Sequence, residues 1–158
     1  MRIGVDVGKA RIGVARSDPH GMLATPVETV PRAADDLADI ARIAEIVAEH
    51  DAFEAVVGLP LNLRGERTPS TDDAARFAER LAARLSVPVR LVDERLSTVS
   101  AQAHLRAAGK RTKQSRSIID QAAAVVILQH ALDIERSSGH APGHAAEAKT
   151  TGTGEATE

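Results

Sequence analysis

The alternation of hydrophobic and polar positions divides the chain into short strands. In "IGVDVGKARIGVARSD", residues 3–18, Ile3, Val5 and Val7 alternate with small or polar residues, and a second apolar run follows a tight turn. A side-chain period of two is typical of a strand, and the same pattern recurs further along the chain. It predicts five strands, at residues 2–7, 11–16, 25–30, 55–58 and 88–93.

Apolar residues spaced three or four positions apart predict helices between and after these strands. The predicted helices span residues 34–49, 70–85, 98–108 and 116–136. Ser70 is the expected N-cap of the second helix, with Asp73 completing a capping box. Gly109 is expected to end the third helix.

The resulting order, β-β-β-α-β-α-β-α-α, predicts an α/β fold with a mixed five-stranded sheet. Short links favour an antiparallel meander for the first three strands, whereas the later strands each follow a helix and favour parallel crossovers. Residues 137–158 contain no leucine, isoleucine, valine or aromatic residue. Because such a segment buries little apolar surface, we expect one domain, residues 1–136, followed by a disordered tail, residues 137–158.

Composition narrows the class of protein further. The 158 residues are enough for one domain with a core, and the absence of cysteine excludes disulfides and thiolate metal sites. The charged N-terminus does not suit a signal peptide, and the longest apolar run, of seven residues, falls far short of the roughly 18 needed to span a membrane. A cytoplasmic protein is therefore expected. The tail holds one of the 20 basic and three of the 22 acidic residues, so the domain is neutral.

Acidic residues stand at positions where the predicted fold brings them together. Asp6 lies inside the first strand, where a buried carboxylate is unfavourable unless it is paired. If the first, fourth and fifth strands are parallel, Asp6 and residues 93–94 meet at one edge of the sheet. A further acid, Asp120, lies in the last predicted helix, which is otherwise apolar. Clustered carboxylates repel one another and bind cations, and oxygen ligands suit Mg²⁺ or Mn²⁺. This set favours metal-assisted phosphodiester hydrolysis.

Each acid also has a simpler explanation. Asp120 can complete a capping box with Ser117. Residues 93–94 can pair with Arg95 at a strand end, and Asp6 can be an acid paired within the core. The convergence of the three positions favours a shared site over three separate structural roles.

Two basic segments indicate a polyanionic substrate. Residues 106–116 hold five basic residues and no acid, and residues 64–69 form a second loop with two arginines. Cations of this kind hold phosphates, although an ordinary solvated helix junction is the alternative for the first segment. Without Tyr or Trp there is no stacking platform, so backbone recognition is expected. The candidate substrate-binding residues are Lys110, Arg111, Lys113, Arg116, Arg64 and Arg67.

Four segments resemble the motifs of a known family. "GVDVGKARIGVA", "VVGLPLNLRG", "VDERLSTVSA" and "IIDQAAAVVIL" are similar, in order, to the motifs of the YqgF family over about residues 1–135. Its members are described as proposed pre-16S ribosomal RNA nucleases and as Holliday-junction-resolvase-like proteins. The resemblance implies a ribonuclease H-like fold and a divalent-metal nuclease linked to the 5′ end of 16S rRNA. It implies that Asp6, Glu94 and Asp120 are the catalytic and metal-binding acids.

Three other functions compete with this one. A Holliday junction resolvase would use the same acids and is expected to be a dimer. A sugar-kinase or actin-like ATPase also begins with D-x-G, but needs two such domains and an adenosine-binding segment. A nucleic-acid-binding module in ribosome assembly would not need the acids. The expected partners are pre-16S rRNA or structured DNA and the precursor of the small ribosomal subunit, with the protein a monomer or homodimer and no membrane.

Overall fold

The computed structural model describes residues 1–34, 37–94 and 113–147. Over these ranges the chain forms six strands and three helices, numbered here in chain order. The strands are β1 (Arg2–Val7), β2 (Arg11–Ser17), β3 (Ala24–Pro31), β4 (Glu54–Leu59), β5 (Val89–Asp93) and β6 (His144–Ala146). The helices are α1 (Ala38–Glu49), α2 (Pro69–Arg84) and α3 (Lys113–Ser138). Of these helices, none is long and apolar enough to cross a membrane.

The strands form one mixed sheet in the order β3-β2-β1-β4-β5-β6. β1, β2 and β3 form an antiparallel meander, whereas β4 is parallel to β1 and β5 is parallel to β4. These pairings confirm the mixed α/β sheet expected from the sequence, and the five predicted strands match to within one residue at each end. The carboxyl ends of β1, β4 and β5 therefore lie at one edge of the sheet.

Helices cover both faces of the sheet, and the central strand β4 is buried along its whole length. α1 and α2 pack on one face, where the buried side chains of the central strands include Ile3, Val5, Val57 and Leu91. α3 packs on the other face through residues at helical spacing. The buried residues of this stripe are Ala124, Ile127, Leu128, Ala131 and Leu132.

Glycines in β1 and β2 bring the backbone of α3 directly against the sheet. A Cβ atom on Gly4 would lie 2.8 Å from Cβ of Leu128, and one on Gly13 would lie 1.8 Å from the backbone oxygen of Asp120. Any side chain at either position would push α3 away from the sheet. These close approaches set the position of Asp120 above β2.

The start of α2 differs from the prediction. The N-cap is Thr68 rather than Ser70, and Thr68 and Thr71 form the capping box, with the Thr68 backbone N–H donating to Oγ1 of Thr71 at 2.9 Å. Pro69 occupies the first helical position, where its fixed φ favours helix initiation. The predicted capping box of Ser70 and Asp73 is therefore wrong.

The segment after residue 136 also departs from the expected disorder. α3 continues to Ser138, and β6 pairs antiparallel with the open edge of β5. Gly143, with φ +80°, lies so close to β5 that a Cβ there would be 1.9 Å from the backbone oxygen of Leu91. Composition did not reveal this strand, because pairing with a sheet edge uses backbone hydrogen bonds rather than apolar side chains. Residues 148–158 and the predicted helix at 98–108 lie outside the described residues.

Candidate active site

Strand alternation directs two of the predicted acids toward α3. Val5 packs in the layer that faces α1 and α2, so its neighbour Asp6 faces α3. Val92 belongs to the layer beneath α3, and Glu94, two residues further along, continues on that face. Asp6 and Glu94 therefore lie on the side of the sheet that α3 covers, at the carboxyl ends of β1 and β5.

The side chains of Asp6 and Glu94 are in direct contact through a hydrogen bond. Glu94 is only 7% exposed, and its Oε2 lies 2.1 Å from the position that a Cβ on Gly58 would occupy. Glycine at position 58 thus makes the space for this carboxylate. Asp93, the other acid of the 93–94 pair, is exposed.

The electrostatics of Asp6 reflect this crowding. Burial and the negative charge of Asp120 raise the pKa of Asp6 to about 6, and the hydrogen bond with Glu94 offsets only part of that rise. Desolvation and like charge both disfavour the ionised form of a carboxyl group. A cation placed among these acids would relieve both effects.

Asp120 lies in α3, well after the helix start at Lys113. The capping-box explanation with Ser117 is therefore wrong, because Ser117 lies inside the helix. The Asp120 side chain is 17% exposed and accepts a hydrogen bond from Nε of Arg11 at 2.7 Å. Next to it, Nε2 of Gln121 donates to Oγ1 of Thr29 at 3.0 Å, which ties this part of α3 to β3.

The donor chemistry of the three acids fits a hard divalent cation, since all donor atoms are carboxylate oxygens. Within the described ranges, however, no three Asp, Glu, His or Cys side chains are grouped closely enough to hold a metal ion. Asp6 contacts Glu94, whereas Asp120 is bound to Arg11.

The two arginines between β4 and α2 are held in a tightly hydrogen-bonded loop. Oδ1 of Asn62 accepts from the backbone N–H groups of Arg64 and Glu66, both at 2.9 Å. Arg67 pairs with Asp72 at 2.8 Å. Arg64 makes no ion pair with any residue that the structure describes, so its guanidinium is the more available of the two for a phosphate.

Lys113 and Arg116 lie in the first turns of α3, and their side chains lie outside the described part of the structure. Lys110 and Arg111 lie outside the described residues. Their role in binding stays a prediction. Sequence reasoning missed Arg11 as a neighbour of the acids, because 109 positions separate it from Asp120 and only the fold joins them.

The mixed sheet, helices on both faces and acids at one edge correspond to the ribonuclease H-like class. A solved structure of T. thermophilus RuvC in complex with Holliday junction substrate matches with a TM-score of 0.57 and 19% identity, covering 89% of this chain and 98% of that chain. A second T. thermophilus RuvC structure matches with a TM-score of 0.54 over 90% of this chain and 98% of that chain. The ribonuclease H-like fold expected from the motifs is confirmed.

Within that class, sequence similarity identifies the family. A family model described as RuvX, Holliday junction resolvase, matches residues 1–134. A relative from Clavibacter sepedonicus is 63% identical over 142 residues, 90% of this chain and 88% of the relative. A relative from Leifsonia xyli subsp. xyli is 58% identical over 147 residues, which cover 93% of this chain and 94% of the relative. Both names give pre-16S rRNA nuclease as a proposed activity. The chain belongs to the RuvX (YqgF) family of nucleases.

Proposed function

We propose that this protein is a divalent-metal-dependent endonuclease that hydrolyses phosphodiester bonds during 5′-end maturation of pre-16S rRNA. Asp6, Glu94 and Asp120 are its catalytic carboxylates. The observation that carries the proposal is the meeting of these acids on one face: Asp6 and Glu94 share a hydrogen bond, and the charge of Asp120 acts on Asp6. The names of the relatives support the RNA substrate.

The same acids would hold Mg²⁺ or Mn²⁺. When bound, such an ion lowers the pKa of a water ligand and stabilises the charge that develops on the phosphate. The carboxylates of Asp6 and Glu94 already lie together, and Asp120 is the third oxygen donor. Because Gly58 has no Cβ, the Glu94 carboxylate and Ile127 of α3 can both pack against the backbone of β4 at this position.

We assign substrate binding to basic side chains of two segments, the loop between β4 and α2 and the stretch that precedes Asp120. The backbone N–H of Arg64 is bound by the side chain of Asn62 in the loop between β4 and α2. Arg64 makes no ion pair with any residue that the structure describes, so its guanidinium can contact a phosphate directly. The basic stretch that includes Lys110, Arg111 and Lys113 precedes Asp120 and would hold further phosphates. Such contacts follow the nucleic-acid backbone rather than the bases.

A Holliday junction resolvase is the second candidate, favoured by the description of the family. It would use the same acids, and its two symmetric cuts require a dimer. The alternative differs from the main proposal in substrate and in assembly, not in chemistry.

Incubation of the protein with labelled pre-16S RNA and, in parallel, a four-way DNA junction tests the proposal. Each reaction contains Mg²⁺, Mn²⁺ or EDTA. We expect metal-dependent cleavage of the RNA that Glu94→Gln abolishes. The neighbouring exposed acid supplies a matched control, since Asp93→Asn should retain cleavage. Cleavage in EDTA, or full activity of Glu94→Gln, would contradict the proposal, and cleavage of the junction alone would favour the resolvase.

A further inference from the structure

Arg11, the first residue of β2, is bound to one of the proposed catalytic acids. Its Nε donates to Oδ2 of Asp120 at 2.7 Å. A hydrogen bond between two charged groups is stronger than one between neutral groups. The Arg11 side chain is 38% exposed and that of Asp120 is 17% exposed, so the pair lies where ions from solution can reach it.

This ion pair differs from those that join elements of the fold elsewhere. Arg2, for example, binds Glu54 of β4 and Glu135 of α3, and neither of these acids belongs to the proposed site. Arg11 instead neutralises an acid whose charge acts on Asp6. Its guanidinium therefore supplies positive charge within the acidic cluster.

The backbones on both sides of the pair are held in place. The backbone N–H of Gly8 donates to the carbonyl oxygen of Arg11 at 2.9 Å, which closes the turn between β1 and β2. The close approach of α3 to Gly13 holds the backbone of Asp120 over β2. Only side-chain rotation can separate the two groups without disturbing the sheet, so a change of partner would be local.

A divalent cation and Arg11 compete for Asp120. Both would use the same carboxylate, and a dication among the three acids would be repelled by the guanidinium beside it. The present arrangement agrees with this competition: Asp120 binds Arg11, and the three acids do not form a group that could hold a metal ion in the described structure.

We propose that Arg11 is an internal counter-ion of the active site, which binds Asp120 in the metal-free protein and releases it when a divalent cation enters. The released guanidinium then faces the substrate, where its planar array of N–H donors suits a phosphate group. Arg11 is thus a positioning residue before metal binding and a phosphate-binding residue after it. The inference rests on the proposed function, since it concerns the same acids.

Mn²⁺ titrations of the protein without nucleic acid, followed by electron paramagnetic resonance, test the competition. We expect Arg11→Gln to bind Mn²⁺ about tenfold more tightly than the wild type, because a repelling charge and a competing partner are both removed. Arg11→Lys keeps the charge and should stay close to the wild type. Arg42→Gln, which removes a positive charge on α1, is the control and should leave the affinity unchanged. Equal or weaker Mn²⁺ binding by Arg11→Gln would overturn the proposal.

A second measurement uses the wild-type protein and does not depend on the folding of a variant. The Nε–H resonance of Arg11, assigned by its loss in Arg11→Lys, should shift when Mg²⁺ is added, because its bond to Asp120 breaks. A resonance that stays unchanged at saturating Mg²⁺ would also overturn the proposal.

Parallel titrations of Asp120→Asn and Glu94→Gln separate this inference from the proposed function. If both variants bind Mn²⁺ as tightly as the wild type, the metal site itself is wrong. If both lose Mn²⁺ binding while Arg11→Gln behaves as the wild type, the site stands and the role of Arg11 is refuted.

Discussion

Replacing Asp6 by asparagine distinguishes a metal-binding acid from a structural one. Asparagine keeps the shape of the side chain and one hydrogen-bonding oxygen, but it carries no charge. Burial and the charge of Asp120 raise the pKa of Asp6 from 3.8 to about 6, so the metal-free fold disfavours the ionised form. Removing that charge should therefore stabilise the metal-free protein.

The size of the effect follows from proton linkage. Because the folded protein binds this proton more tightly than the unfolded chain does, ionisation of Asp6 lowers stability as the pH rises from about 4 to about 6. A shift of about two pKa units corresponds to about 3 kcal/mol at most. At pH 8 in EDTA, we expect Asp6→Asn to raise the free energy of unfolding by about 1–3 kcal/mol, and this advantage should shrink as the pH falls through 6 toward 4.

Urea denaturation at pH 8 and pH 5, each with EDTA or Mn²⁺, measures this prediction. Mn²⁺ should stabilise the wild type by binding the folded state, and should stabilise Asp6→Asn little, because one ligand is lost. Asp133→Asn, at an exposed acid of α3, controls for the loss of a charge. Nucleic-acid cleavage by Asp6→Asn should fall by orders of magnitude.

The opposite pattern would refute the reasoning. If Asp6 is an acid paired within the core, asparagine leaves a hydrogen bond unmet and lowers stability by about 1–3 kcal/mol at every pH. An Asp6→Asn protein that is less stable in EDTA, yet cleaves at the wild-type rate, would end the assignment of Asp6 to a metal site.

Two further predictions concern substrate binding and the C-terminal segment. Arg64→Ala should weaken nucleic-acid binding and lower the slope of log affinity against log salt concentration by up to about 0.9 for duplex DNA. Arg67→Ala should have a smaller effect, because Arg67 is already paired with Asp72. Fluorescence anisotropy at several salt concentrations measures both variants, and equal effects would contradict this distinction. Deletion of residues 139–158 removes β6 and uncovers the edge of β5, so the melting temperature should fall by a few degrees; an unchanged melting temperature would show that β6 contributes no stability.

The secondary structure was largely predictable because periodicity directly reports which side chains become buried. The alternation around Ile3 and Val5 predicted β1, and the four-residue spacing of Phe77 and Leu81 predicted α2. Prediction failed where burial does not decide the structure. β6 pairs through its backbone with β5, and α2 begins at Pro69, ahead of Ser70.

Residue types and order along the chain determined by themselves that this is an α/β protein of the RuvX family. They named Asp6, Asp120 and the 93–94 pair as candidate acids, and the resemblance of the motifs selected Glu94 from that pair. The tertiary structure alone decided that Glu94, rather than Asp93, contacts Asp6, and that Arg11 binds Asp120. The reason is physical: local sequence determines which face of a strand or helix a side chain occupies, but contacts between distant elements depend on sheet register and on the glycines that let α3 approach β1 and β2.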